Sequence, residues 1–281
     1  MKLFTGITEL NLFLSEVRNR GLSIGFVPTM GALHPGHISL IARARAENDV
    51  VVCSIFVNPV QFNNPDDLKK YPRTLESDVA LLEPAGCDVV FNPGEVEMYP
   101  GEILEKFDFG MLGQVMEGRF RPGHFDGVAV VVKRLFEIVV PDRAYFGLKD
   151  FQQVAIVRSM MQQTNSAVEL VECPIVREPD GLAMSSRNVR LSPSARPLAP
   201  FVFETLQWGL TLASHSSPQE VTTRVLDRFK KHPEFEPEYF EIVDPVTLLP
   251  IVMFDPQKPA VACIAVWLDQ VRLIDNMVYV A

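Results

Sequence analysis

Two histidines, His34 and His37, stand three residues apart in the stretch Pro28-Thr29-Met30-Gly31-Ala32-Leu33-His34-Pro35-Gly36-His37. An apolar run, residues 24–27, precedes them, and an amphipathic segment, residues 38–47, follows. That order reads as strand, glycine-containing turn, helix. A helix N-terminus carries unsatisfied N–H groups and the positive end of the helix dipole, so it is a natural seat for phosphate. Three readings of the histidines stand side by side. They cap the helix or lie on the surface; they ligate a metal, although no third ligand is near and zinc needs three or more; or they donate hydrogen bonds to phosphate oxygens, with Gly36 letting the backbone approach closely. The strand–turn–helix context favours the third.

Other polar loops carry compatible chemistry. Gly147-Leu148-Lys149-Asp150 again lies between an expected strand and an expected helix. A lysine at a helix start opposes the dipole unless an anion binds there, so Lys149 reads as a phosphate clamp and Asp150 as an N-cap or hydroxyl acceptor; a solvated turn is the plain alternative. Gln152 and Gln153 follow on the first helical turn, either as substrate ligands or as an exposed polar face. Residues 180–188 hold Met184, Ser185, Ser186 and Arg187, whose directional donors can surround a phosphate chain or simply form a turn. Residues 58–63 place Gln61 just beyond an apolar strand. Residues 119–125, with Arg119 and Arg121, are either a cationic lid or an exposed loop. The chain lacks G-x-S-x-G, the Walker A pattern and the G-x-G-x-x-G fingerprint, and no cysteine sits in an electropositive turn.

These loops need elements to position them. Strands are expected at residues 23–27, 50–57, 88–91, 143–146 and 168–171, and helices at 38–47, 74–83, 127–138 and 150–163. Such β-α alternation implies a parallel sheet covered by helices. Ligands then bind beyond the carboxyl ends of the strands, where the His34/His37 turn falls. Beyond residue 176 the pattern changes to helices at 194–212 and 218–231, then strands at 239–243, 261–268 and 271–274. The fold expected is α/β: a Rossmann-like parallel-sheet domain over residues 1–176 with helices on both faces, then a smaller C-terminal α+β domain over residues 177–281 that carries the Met184–Arg187 loop. The proline-rich stretches 58–72 and 192–200 read as loops or boundaries.

The bulk numbers agree. The 281 residues suffice for one large or two moderate domains, and 47% hydrophobic with 22% charged residues is ordinary for a globular protein. A net charge of −9 argues against a nucleic-acid partner, which would call for excess Lys and Arg. No apolar run approaches the ~18 residues of a membrane span. Cys53, Cys87, Cys173 and Cys263 are far apart and lie in or beside apolar runs, which fits reduced core thiols and a cytoplasmic protein.

Residues 28–37, 56–62, 71–78, 121–128, 147–153 and 177–188 together resemble the pantothenate synthetase (pantoate–β-alanine ligase) family. The match is collinear over most of the chain up to residue 190, whereas the C-terminal part carries little of it. The H-x-G-H turn alone marks a broad nucleotidyl-transfer superfamily; its combination with N-P-x-Q-F, K-D-F-Q-Q and M-S-S-R-N points to this one family. Leu148 departs from the Glu common there, so a backbone role at that position can survive and a carboxylate contact cannot. The resemblance implies that ATP and pantoate form pantoyl adenylate and pyrophosphate, with Mg²⁺ on the ATP phosphates, and that the amine of β-alanine then releases AMP and pantothenate. By motif, His37 is the catalytic donor, joined by His34, Lys149, Ser185, Ser186 and Arg187. The ATP site implied is Met30, Gly31, Ala32, Leu33, His34, Pro35, Gly36, His37, Gly147, Leu148, Lys149, Asp150, Val176, Met184, Ser185, Ser186 and Arg187. Gln61 and Gln153 would hold pantoate, with Gln61 also near β-alanine. No residue is assigned to the metal, with Asp78 either a candidate ligand or a structural helix-start carboxylate. The resemblance further implies a homodimer.

Overall fold

The computed structural model describes residues 1–63 and 65–279. Residue 64, within the expected 58–72 loop, and the last two residues of the expected second domain fall outside them. The chain runs β1 (Lys2–Phe4), α1 (Ile7–Asn19), β2 (Ile24–Thr29), α2 (Pro35–Glu47), β3 (Val50–Ile55), α3 (Pro65–Lys70), α4 (Leu75–Leu82), β4 (Val89–Phe91), α5 (Glu95–Met98), α6 (Met116–Phe120) and α7 (His124–Val139). It continues with β5 (Arg143–Gly147), α8 (Phe151–Gln163), β6 (Glu169–Cys173), α9 (Phe201–Ala213), α10 (Pro218–Phe229), β7 (Phe235–Val243), β8 (Ala260–Leu268) and β9 (Val271–Tyr279).

The first six strands form one parallel sheet in the order β1-β4-β3-β2-β5-β6. Every residue of β3 is buried, as a strand covered on both faces requires. Its side chains alternate: Val50 and Val52 join Leu10, Val128 and Ile156 on one face, while Val51, Cys53 and Ile55 join Leu40, Ile41 and Leu82 on the other. From β2 the chain winds one way through β3 to β4, then returns to the other side of β2 at β5. The switch point lies between β2 and β5, and a crevice opens there beyond their carboxyl ends.

The last three strands form an antiparallel sheet, β7-β8-β9. Ala262, Ile264 and Val266 of β8 pack with Val221 and Val225 of α10. Val261, Cys263 and Ala265 point the other way, toward Met116 of α6 and Ala155 of α8. The period of two therefore seats the small sheet directly against the helices of the first part. All four cysteines are free and buried, and among the described residues no helix is long and apolar enough to cross a membrane.

Several boundaries differ from the sequence reading, and the 58–72 stretch read as a loop or boundary contains helix α3, started by Pro65 with Asp66 and Asp67 in its first turn. α2 starts at Pro35 rather than residue 38, because proline is favoured at the first helical position. α9 starts at Phe201 rather than 194, since Pro197 and Pro200 leave residues 194–200 in turns. β7 reaches back to Phe235 through Pro237, tolerated on an edge strand with a register shift beside it. β1 and α1 had no expectation, although Leu10, Leu14 and Val17 mark the buried stripe of α1.

Candidate active site

The histidine turn is built almost entirely from itself. His34 is the N-cap of α2, and its Nδ1 accepts the Gly36 N–H at 3.2 Å. The Nδ1 of His37 accepts the His34 N–H at 3.3 Å. Each ring thus answers an orphan donor of the helix start, and the ring centroids lie 4.0 Å apart. A Cβ on residue 36 would come within 2.9 Å of the His34 ring. The missing Cβ leaves room for the capping imidazole, a reason local to the turn.

Because both Nδ1 atoms accept backbone N–H groups, a neutral ring carries its proton on Nε2. Burial, followed by the Lys149 charge, lowers His34 to a pKa of about 4. Burial again, then His34 and Lys149, lowers His37 to about 3. Near neutral pH the pair therefore offers two uncharged Nε2–H donors.

The loop leading into the turn is held from the side. Gly31 and Ala32 have φ of 79° and 50°. The buried carboxylate of Asp78 accepts the Ala32 N–H at 3.0 Å and the Leu33 N–H at 2.8 Å, and also the Thr74 hydroxyl. Asp78 thus has the structural role of the two considered for it: its oxygens are engaged by the loop.

One cavity of about 210 Å³ at the switch point brings the predicted residues together. Met30, His34, Gly36 and His37 line one wall; Gly147, Lys149, Asp150 and Val176 line another; Met184, Ser185, Ser186 and Arg187 close it; and Gln61 and Gln153 lie at the same cavity. Gly31, Ala32, Leu33, Pro35 and Leu148 are not among its lining residues. The amides of Ala32 and Leu33 face Asp78 instead, and Pro35 begins the helix. A second cavity, of about 360 Å³, adjoins the first at Lys149, Asp150, Ser185 and Arg187 and extends past Arg121 to β9.

The far walls depend on distant segments. Asn276 of β9 donates from Nδ2 to the Leu148 carbonyl at 2.8 Å and the Lys149 carbonyl at 3.0 Å. Ser186 Oγ lies 3.3 Å from the Tyr71 hydroxyl. Arg187 pairs with Asp67 of α3 at 3.0 Å, and Arg190 takes the other oxygen of the same carboxylate at 3.0 Å. The 177–188 loop is fastened to β9 by a bidentate Arg177–Asp275 pair at 2.6 and 3.0 Å. The 119–125 stretch read as a lid or an exposed loop is instead the end of α6, a three-residue turn and the start of α7; in the turn Arg121 is half-buried, 3.6 Å from Glu117. Glu117 itself is tied bidentately to Arg272 of β9, and although burial pushes its carboxyl up, Arg272 brings it down to about 2.

Asp67 and Asn276 escaped the sequence reading as site residues, because each reaches the cleft only through tertiary contacts and sits in no local motif; Arg121 was read there only as part of a lid or an exposed loop. Among the described residues, no group of three or more His, Cys, Asp or Glu has the arrangement to hold a metal.

Neutral imidazole donors, a lysine and a serine–arginine loop converging at the switch point of a parallel sheet define a nucleotide-binding α/β enzyme. The family model described as pantoate-beta-alanine ligase matches residues 2–278. The pantothenate synthetase of Porphyromonas gingivalis is 50% identical over 279 residues, 99% of each chain. That of Phocaeicola vulgatus is 52% identical over 280 residues, again 99% of each. The Thermus thermophilus crystal structure superposes with a TM-score of 0.94 at 44% identity over 100% of both chains. The Francisella tularensis enzyme, solved with β-γ ATP and β-alanine, gives a TM-score of 0.83 at 35% identity over 99% of this chain and 98% of that one. The chain belongs to the pantoate–β-alanine ligase family.

Proposed function

We propose that this chain condenses pantoate with β-alanine, using ATP, to give pantothenate, AMP and pyrophosphate through a pantoyl adenylate. The observation that carries the reading is the meeting of the His34/His37 pair, Lys149, Ser185–Arg187, Gln61 and Gln153 on one cavity. In the first step a pantoate carboxylate oxygen forms a bond to the α-phosphorus, and the bond to the bridging oxygen of pyrophosphate breaks. Negative charge builds on the α-phosphate oxygens and the leaving group. The Nε2–H groups of His34 and His37 and the cations Lys149 and Arg187 are donors suited to that charge. A histidine held at about 3 is no imidazolium at pH 7, so His37 acts by hydrogen bonding and positioning rather than as a strong acid. Gln61 and Gln153 hold pantoate, with Gln61 also bordering β-alanine. In the second step the amine attacks the acyl carbon and expels AMP.

The cavity fits a nucleotide-borne cation: Asp150 is the one carboxylate among its described lining residues, and Mg²⁺ commonly sits on substrate phosphates with few protein ligands. When bound, Mg²⁺ would neutralise charge on the leaving pyrophosphate. The same reading takes residues 1–176 as the nucleotide- and pantoate-binding domain, residues 177–281 as the smaller domain bearing Met184–Arg187, and the protein as a cytoplasmic homodimer. The test is AMP release from ATP, pantoate and β-alanine, omitting each in turn. Full activity requires all three; AMP release that ignores β-alanine would point instead to an enzyme that stops at the adenylate.

A further inference from the structure

Gln61 has an amide whose two ends are chemically opposite, and the chain fixes which end meets the cavity. Asn58, buried just beyond β3, donates from Nδ2 to the Gln61 Oε1 at 3.2 Å and to the Gly127 carbonyl at 3.1 Å. With Oε1 accepting from Asn58, the Gln61 Nε2 is directed to the Met30 sulfur, 2.9 Å away on the cavity wall. A thioether is a weak acceptor, so that N–H is free to exchange it for a substrate oxygen. The orientation of Gln61 is therefore inherited from the orientation of Asn58.

Asn58 is oriented in turn from outside the cavity. Its Oδ1 accepts the Tyr99 hydroxyl at 2.9 Å and, at a longer 3.3 Å, the Val60 N–H. Tyr99 follows α5, is absent from the lining of the cavity, and packs its ring edge-on to Phe56 at 6.1 Å. Its hydroxyl proton has a carboxamide oxygen to bind and keeps it, since burial raises the phenol well above its ordinary range. Reversal of the Asn58 amide would set its NH₂ against the Val60 N–H and its oxygen against both the Gly127 carbonyl and Gln61 Oε1.

We infer that Tyr99 is a positioning residue for pantoate recognition, acting through Asn58 to hold Gln61 with its NH₂ toward the substrate. This rests on the assignment of Gln61 to pantoate and adds to it a residue remote from the ligand. It also sets a chemical selection: at Gln61 the site offers a donor, which suits a carboxylate or hydroxyl oxygen and penalises a ligand that presents an N–H there.

The experiment compares wild type, Tyr99→Phe, Gln61→Ala and the double variant. It measures KM for pantoate and for ATP in AMP release, with calorimetric pantoate affinity for slow variants and thermal melts for all. Loss of one neutral hydrogen bond in the chain should weaken pantoate about fivefold to tenfold in Y99F and leave the ATP KM within about twofold. In the Q61A background the same change should have no further effect, because the route through Gln61 is gone. An equal weakening of pantoate and ATP, an unchanged pantoate KM in Y99F, or a full Tyr99 effect persisting in Q61A would each overturn the inference. Wild-type protein that releases no AMP in a pantoate-dependent way would instead overturn the functional reading beneath it.

Discussion

The two sides of the cleft are built in different ways. On the His34/His37 side, ten consecutive residues supply the strand end, the turn, the caps and the donors, and the main outside contribution is the Asp78 carboxylate. On the Lys149/Arg187 side, no element is self-sufficient: Asn276 holds the 147–150 turn, Asp275 holds the following loop, and Asp67 occupies the Arg187 guanidinium. The near wall is pre-organised by local hydrogen bonds that need no other segment to form. The far wall exists only when β9 and α3 are in place, and its arginine already has an anion. On the proposed function, the cleft has one fixed face that would meet the α-phosphate and one face whose Arg187 would exchange Asp67 for a phosphate.

His37→Ala breaks the fixed face most severely. Loss of a donor at the point of charge development should slow formation of pantoyl adenylate on the order of 100-fold or more, read in single-turnover rapid quench, with a smaller effect on the β-alanine step. Wild-type adenylation in this variant would remove His37 from the reacting centre.

Acid probes the same face through stability. His34 and His37 have folded pKa values of about 4 and about 3, against 6.5 for the free side chain, and burial likewise lowers His124 to about 4. The unfolded chain therefore takes up protons that the folded chain refuses. The resulting stability is complete above about pH 6.5 and is lost as pH falls toward 4 and then 3. Replacing His34 and His37 by Gln should flatten the melting temperature against pH across that window; an unchanged slope would show that the rings are already protonated.

Asn276→Ala tests the borrowed face. Two carbonyls of the 147–150 turn lose their shared donor, and the ATP KM should rise about tenfold, while the histidine pKa values, lowered first by burial and only then by Lys149, should stay well below 6.5 in an NMR titration. A matching change in the histidines would mean that the two walls are not independent.

Asp67→Ala should give the smallest and opposite effect. Freed from Asp67, Arg187 should bind ATP about threefold more tightly at low ionic strength, and the gain should fade with added salt. Weaker binding would show that Asp67 pre-orients the guanidinium rather than competing for it.

Which parts were legible in the sequence follows from the same contrast. The β-α alternation and the apolar run of β3 foretold a doubly covered parallel sheet, and strand–turn–helix order placed His34 and His37 at its ligand-binding end. These signals lie within single segments. Gly36 was read as an approach to phosphate; it does line the cavity, and only the folded turn shows that its missing Cβ also leaves room for the His34 ring. Asp78 showed its function only once the loop at Ala32 and Leu33 was seen bending back onto it.

By itself, then, the sequence determined the class of fold, the polar character of the cleft and about half of the residues that line it, because periodicity, caps and short motifs act over a few residues. Tertiary structure alone decided that Asn276 supports the lysine turn, that Asp67 holds Arg187, and that Tyr99 reaches Gln61 through Asn58. Those contacts join positions tens to more than a hundred residues apart, with no local pattern to announce them. They are set by how the β7-β8-β9 sheet and the short helices dock on the parallel-sheet domain.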